Sequence, residues 1–255
     1  MKIKILGAHN FDSATTKLVS LLVDDILAID AGSLTSSLSL AQQEKIKFIL
    51  LTHAHYDHMR DIPTLALNNF HRTINIYGTR NTLNLLSAHL INGIIYPKFT
   101  EMPSPENPAL KLHILEPYKM KSFSKYEVLP IPVNHTDPTV GYQVSSEDGK
   151  VVFYSGDTGP GLAPCWEHIS PQLMFLDVTF PNRLKEMAIR AGHLCPGLLE
   201  EELISFRRSK AYLPRIVLIH LNPQYEDEIR NEATKVAEKL GAEIDLAYEG
   251  MEIEF

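Results

Sequence analysis

The sequence predicts an α/β protein made of two sheets with helices outside them, an αββα sandwich. Three observations lead there. Short apolar runs of β character recur along the whole chain, segments of helical period lie between many of them, and the middle of the chain is almost all strand. Two helix-covered sheets satisfy this pattern. Periodicity alone does not exclude another α/β layering. With 255 residues, 44% hydrophobic and 22% charged, the chain is of ordinary globular composition and is expected to form one domain over residues 1–255.

Taken in order, "KIKIL" reads as a first strand and "LVSLLVDDILAIDAG" as two strands about a turn at Asp24-Asp25. "SLTSSLSLAQQEK" predicts a short helix, "IKFILLTH" a buried strand, "DHMRDIPTLALNNF" a helix and "TINIYG" a strand. "TRNTLNLLSAHLING" is a helix capped at Thr79. "LKLHILEP", "KYEVLPIPVNH", "TVGYQVSS" and "KVVFYSGD" are four β runs, the last two joined by a hairpin turn at Glu147-Asp148-Gly149. The final third alternates: strand "QLMFLDVTF", helix "PGLLEEELISFRRS", strand "RIVLIHL", helix "YEDEIRNEATKVAEKLG", strand "EIDLAYEG".

Charge and composition exclude several classes. No run of about eighteen apolar residues is present, so no membrane span is expected, and the apolar start is too short for a signal peptide. Cys165 and Cys195 form no CxxC pair, which points to a reducing, cytoplasmic setting. A net charge of −7 without Lys/Arg blocks suits a small ligand better than a nucleic-acid polymer. The densest basic patch, "FRRSK", reads as a solvated helix end. A homodimer is compatible with the size of the chain.

The chemistry concentrates in "LLTHAHYDHMRD". His53 and His55 are two apart where a strand runs into a loop, so both rings can address one point. Asp57 and His58 open the next helix and diverge toward a second point, which suggests two metals. A lone histidine at a strand end is ordinarily a surface or hydrogen-bonded residue. Burying three imidazoles and a carboxylate together without an ion is costly. His135, Asp157 and His220 likewise each end an apolar strand. Two sets result: His53, His55 and His135 on one metal, Asp57, His58 and His220 on the other, with Asp157 bridging. Divalent ions are expected, zinc first, with manganese or iron as alternatives.

"THAHYDH", followed in order by His135, Asp157 and His220, resembles the signature of the metallo-β-lactamase superfamily, and the resemblance runs across most of the chain. It implies the αββα sandwich and a dinuclear site. It also implies that Asp30, in "AIDAG", is structural and supports the loop that carries the His cluster. "FPN…GHLCP" followed by "IHLNP" resembles the class II cyclic-nucleotide phosphodiesterase branch over roughly the last third. That implies a phosphodiesterase with a cyclic nucleotide as first substrate, although "GAHNFD" lacks the Gly/Ser-rich run expected after the first strand.

A two-metal site lowers the pKa of a bound water and presents hydroxide to the substrate. The expected activity is therefore hydrolysis of a small phosphodiester, with Asp57 and His193 as the catalytic pair beside the metals. His193 precedes a proline-started helix and is free to be the proton donor for a leaving alkoxide, or else a phosphate contact or a cap. Thr52 and Thr136 are candidates to orient ligands, and Asn134 and Asn222 to meet substrate. A thioester or lactone hydrolase of the same fold is the first alternative, and a non-enzymatic metal-binding module the alternative from another class. No basic helix for glutathione and no basic arm of a tRNA-end nuclease is read in the sequence. Asp157 stands where drug-hydrolysing lactamases usually carry Cys, and His55 stands where flavodiiron reductases usually have Glu, whose added flavin domain is not expected in 255 residues.

Overall fold

The computed structural model describes residues 1–136 and 138–255 and divides them into two units, each built on one seven-stranded sheet. The first unit comprises Met1–Ala8, Asp12–Glu116 and Tyr248–Phe255. Its strands are β1 (Lys2–Gly7), β2 (Ser20–Val23), β3 (Leu27–Ile29), β4 (Phe48–Leu50), β5 (Ile74–Gly78), β6 (Leu110–Ile114) and β14 (Glu252–Glu254), in the order β14-β1-β2-β3-β4-β5-β6. β14, β1, β2 and β3 pair antiparallel, and β3 through β6 pair parallel. The turn between β2 and β3 places Asp24 (φ 47°) and Asp25 (φ 62°) in the left-handed region, which Asp tolerates better than most residues.

Two sequence-predicted helices of this unit are each broken. "SLTSSLSLAQQEK" forms one-turn helices α1 (Leu34–Ser37) and α2 (Leu40–Gln43), because Ser39 leaves the helix to cap α2 in a reciprocal box with Gln42. "DHMRDIPTLALNNF" divides into α3 (Tyr56–Met59) and α4 (Ile62–Asn68), where Pro63 is suited only to a helix's first turn. α5 (Arg80–His89) begins as read, with the Thr79 hydroxyl accepting from the Thr82 amide. The core gathers Leu6, Ile49, Leu65, Ile76, Leu86 and Phe99.

The second unit comprises His9–Phe11 and Pro117–Ala247. Its strands are β7 (Lys121–Phe123), β8 (Tyr126–Pro132), β9 (Val140–Ser146), β10 (Val151–Tyr154), β11 (Leu173–Asp177), β12 (Arg215–Ile219) and β13 (Ile244–Leu246), in the order β13-β12-β11-β10-β9-β8-β7. β7 through β10 pair antiparallel and β10 through β13 parallel, the same succession as in the first sheet. The hairpin between β9 and β10 closes at Gly149, φ 77°. The helices are α6 (Ala163–His168), α7 (Lys185–Ala191), α8 (Pro196–Lys210) and α9 (Glu226–Leu240). Trp166, Phe153, Phe206, Leu199 and Leu218 lie in this unit's core.

Strand direction positions the chemistry. β8, β10, β11 and β12 run the same way, so His135, Asp157, Asp177 and His220 all follow or end strands at one edge of the second sheet. In the first sheet, parallel β3 and β4 bring Asp30 and His53 to one edge in the same manner. Carboxyl ends of parallel strands are where α/β sheets habitually place ligands. Among the described residues no helix is long and apolar enough to cross a membrane.

Candidate metal centre

In the first unit the loop after β4 is held by a buried carboxylate. Asp30, fully buried with φ 57°, accepts the Thr52 amide (2.9 Å), the Thr52 hydroxyl (3.0 Å) and Nδ1–H of His58 (2.8 Å). The single Thr52 hydroxyl proton goes to the carboxylate, so the 3.0 Å contact with His53 Nδ1 has the imidazole as donor. Both rings therefore carry their lone pair on Nε2. His53 lies 4.5 Å from His55 and 4.3 Å from His58 between ring centroids. The ligand atoms of His53 and His55 come within 4.8 Å of each other, as do those of Asp57 and His58. His53 and His58 are buried, Asp57 is partly open and His55 is exposed. Gly32 is required here: a Cβ on it would stand 2.1 Å from the Asp57 carbonyl oxygen.

In the second unit the same logic recurs with different partners. His135 Nδ1–H donates to the Gly192 carbonyl at 2.9 Å, again leaving Nε2. Burial pushes this imidazole below its ordinary pKa, against the pull of Asp157 and of the Gly192 carbonyl, which favours a ring without a proton on the ligand nitrogen. At His220 the orienting group is the Thr179 hydroxyl, 2.8 Å from Nδ1. That hydroxyl also reaches Asp177 Oδ1 (2.7 Å) and the His220 carbonyl (2.9 Å), both acceptors, so its proton is committed and His220 Nδ1 is the donor. Asp157 Oδ2 stands 3.7 Å from His135 Nε2 and 3.4 Å from His220 Nε2. One carboxylate thus meets both rings of this unit. Imidazole nitrogens and carboxylates facing each other at these separations fit a borderline divalent ion.

His193 sits within the same cluster. Its Nδ1–H donates to Asp177 Oδ2 at 2.6 Å. Its ring stacks on His220 (centroids 5.0 Å, planes 20° apart) and lies 4.9 Å from His135. Ligand atoms of Asp177, His193 and His220 all fall within 4.8 Å of one another. The proline-started helix is as read, but its cap comes from elsewhere: Cys195 offers no side-chain bond, and Asn182 Oδ1, from the "FPN" stretch, accepts the Gly197 amide at 2.6 Å.

Sequence reasoning missed three of these residues. Asp177 is an acid at the end of an otherwise apolar strand, "LMFLD", and that exception was its signal. Thr179 and the Gly192 carbonyl orient rings through contacts that depend on strands and loops distant in sequence, and they left none. Thr136 does not do for His135 what Thr52 does for His53: its hydroxyl lies 3.1 Å from that of Thr139. Asn134 and Asn222 serve the backbone instead: Asn134 Nδ2 donates to Pro160 O in the loop after Asp157, and Asn222 Oδ1 accepts the Gln224 amide of its own loop. His9 is buried and pairs with Glu226 at 3.2 Å, His113 bonds Asn75, and Tyr56 is 60% exposed.

Comparison with known proteins identifies the fold and the family. A probable 3',5'-cyclic-nucleotide phosphodiesterase of Yersinia pestis is 21% identical over 207 residues, 72% of this chain and 59% of that protein. A ribonuclease Z of Pyrococcus abyssi is 30% identical over 113 residues, 43% of this chain and 34% of that protein. The chain thus spans less than two thirds of the length of either relative. The crystal structure of unliganded yeast PDE1 superposes with a TM-score of 0.82 at 18% identity, over 100% of this chain and 99% of that one, a likeness of fold. The fold is the metallo-β-lactamase sandwich that the sequence predicts. Residues 22–244 match the family described as "Beta-lactamase superfamily domain", a span that takes in every histidine and carboxylate placed above at a strand end, and the chain belongs to that superfamily.

Proposed function

We propose that the chain is a dinuclear metal-dependent phosphodiesterase, acting on a small phosphodiester such as a cyclic nucleotide. His53, His55 and His135 hold one ion, Asp57, His58 and His220 the other, and Asp157 is shared between them. Zinc is the first expectation for both. The observation that carries the reading is the Asp177–His193 pair stacked on His220. A leaving alkoxide needs a proton, whereas a leaving thiolate does not, so a carboxylate-oriented imidazole beside the ligands favours an oxygen ester.

Divalent ions bound there supply an activated water and neutralise charge on the phosphoryl oxygens. The chain's own residues handle the protons. Asp57, partly open, accepts the proton of the attacking water. His193, protonated, gives one from Nε2 to the alkoxide as its bond to phosphorus breaks, and Asp177 keeps Nδ1 as donor throughout. Water and diester become a phosphomonoester and an alcohol. The likeness to the Yersinia pestis phosphodiesterase and to yeast PDE1 supports this choice. The ribonuclease Z relative favours an RNA phosphodiester as the second reading, against which the net charge of −7 weighs. The same reading takes the protein to act in the cytoplasm on a small molecule, without a membrane partner.

A panel of cyclic nucleotides, a generic phosphodiester, short RNA, a thioester and a lactone tests this with purified, metal-loaded protein. The small phosphodiesters should be turned over fastest. Preference for the thioester or lactone would overturn the assignment, and inertness toward every ester would favour a metal-binding module.

A further inference from the structure

Glu202 is a buried acid with no part in the proton transfers above. It lies two turns into α8, 7% exposed, and each oxygen accepts one backbone amide of the loop that follows Asp157: Oε1 from Gly161 at 2.7 Å and Oε2 from Leu162 at 3.2 Å. A carboxylate is withdrawn from water only at substantial cost, and two charge-assisted bonds offset it. The loop it grips does not follow a self-supporting path. Gly156 (φ 62°) and Gly161 (φ 104°) both take left-handed conformations, and α6 begins beyond it without a side-chain cap of its own.

The rest of the loop is fastened to the neighbours of other site residues. The Gly159 amide donates to Asn134 O (2.6 Å) and Asn134 Nδ2 to Pro160 O (2.6 Å), which ties the loop to the segment carrying His135. The Thr158 amide donates to Asp177 Oδ2 at 3.0 Å, the same oxygen that receives His193. Two carboxylates therefore clamp the segment after Asp157, Asp177 at its start and Glu202 at its end. Asp177 also serves His193. The two hydrogen bonds of Glu202 named above go to the loop, from a helix that begins three residues after His193.

We infer that Glu202 is a positioning residue for the metal centre, setting through the 156–162 loop where the Asp157 carboxylate stands. The inference rests on the reading of Asp157 as a ligand. The test is a double-mutant cycle on the full chain, stripped of metal and titrated with Zn2+ against a chromophoric chelator. Glu202→Gln keeps the shape but presents an N–H to one of the two amides. It should weaken Zn2+ binding by roughly 10-fold, the low end of the effect of removing a group that bonds a ligand directly, because Glu202 acts through the loop. In an Asp157→Asn background the same substitution should change affinity by less than about 2-fold, because the two act in series.

An equal loss in both backgrounds, or none in either, would overturn the inference while leaving the metal reading intact. A wild-type chain that fails to bind Zn2+ would overturn the metal reading itself. Melting curves accompany each variant, since a purely structural role lowers the melting temperature without any dependence on Asp157. If Glu202→Gln does not fold, Glu202→Asp takes its place in the same cycle, keeping the charge but withdrawing the oxygens from the amides.

Discussion

A neutral imidazole has one lone pair, and the partner of the other nitrogen decides which atom carries it. At His53, His58, His135 and His220 the partner is a different residue each time and of three kinds (hydroxyl, carboxylate, carbonyl, and hydroxyl again), yet all four engage Nδ1. His193 shares the arrangement through Asp177 but is assigned to proton transfer, and the two roles separate experimentally. His193→Ala should lower turnover by about 10²–10⁴-fold, the range for a general acid, while metal content by elemental analysis stays unchanged. Lost metal would make His193 a ligand instead. Gly192 is the second residue-scale test. With φ 72°, and a Cβ that would lie 2.7 Å from His135 Nδ1, Gly192→Ala should cost about 2–4 kcal/mol by denaturant unfolding and weaken metal binding.

At the scale of elements, helix α8 shows why two short motifs in the last third belong together. Asn182 of "FPN" caps the helix that "GHLCP" begins, so the loop with His193 is fixed at its exit by a residue upstream of α7. Asn182→Ala should destabilise the protein by about 1 kcal/mol, the ordinary worth of a cap, and lower turnover with little change in metal affinity. Long apolar runs were legible in sequence because burial on both faces forces them, as in β11 and β12. The exposed β7, the C-terminal β14 and the short helices α6 and α7 were not. Each is too brief to show a period, and β14 and α6 are in addition held by partners far along the chain, β1 for the one and α8 and β8 for the other. The two broken helices failed for the opposite reason: their apolar spacing was helical, but a capping Ser39 and a Pro63 each restarted the turn.

For the whole molecule, the two sheets repeat one succession of antiparallel and parallel pairings although the sequence shows no internal repeat. Strand direction, more than residue identity, puts reactive groups at strand ends in both units. The candidate ligands were legible because imidazoles and acids at the ends of apolar strands stand out. The groups that orient them were not, since a threonine or a carbonyl looks the same in any loop. Metal analysis should give about two ions per chain, and a reproducible value near one would overturn the paired arrangement. Chelation should lower the melting temperature by about 5–10 °C, which corresponds to ~2.7 kcal/mol of linkage at a hundredfold excess over Kd.

The Nδ1 bonds of the four histidines are all made to groups of the chain itself. Holding a side chain in one rotamer costs roughly 0.5–1.5 kcal/mol when binding itself must do it. At each of the four rings a bond from the chain to Nδ1 carries part of that cost. Uptake of an ion should therefore involve little ordering, and the metal-free and loaded proteins should exchange backbone amides at similar rates around Thr52, Gly192 and Thr179. What the ion would add is a partner for the Nε2 lone pair of each neutral ring, and charge neutralisation at the carboxylates alone.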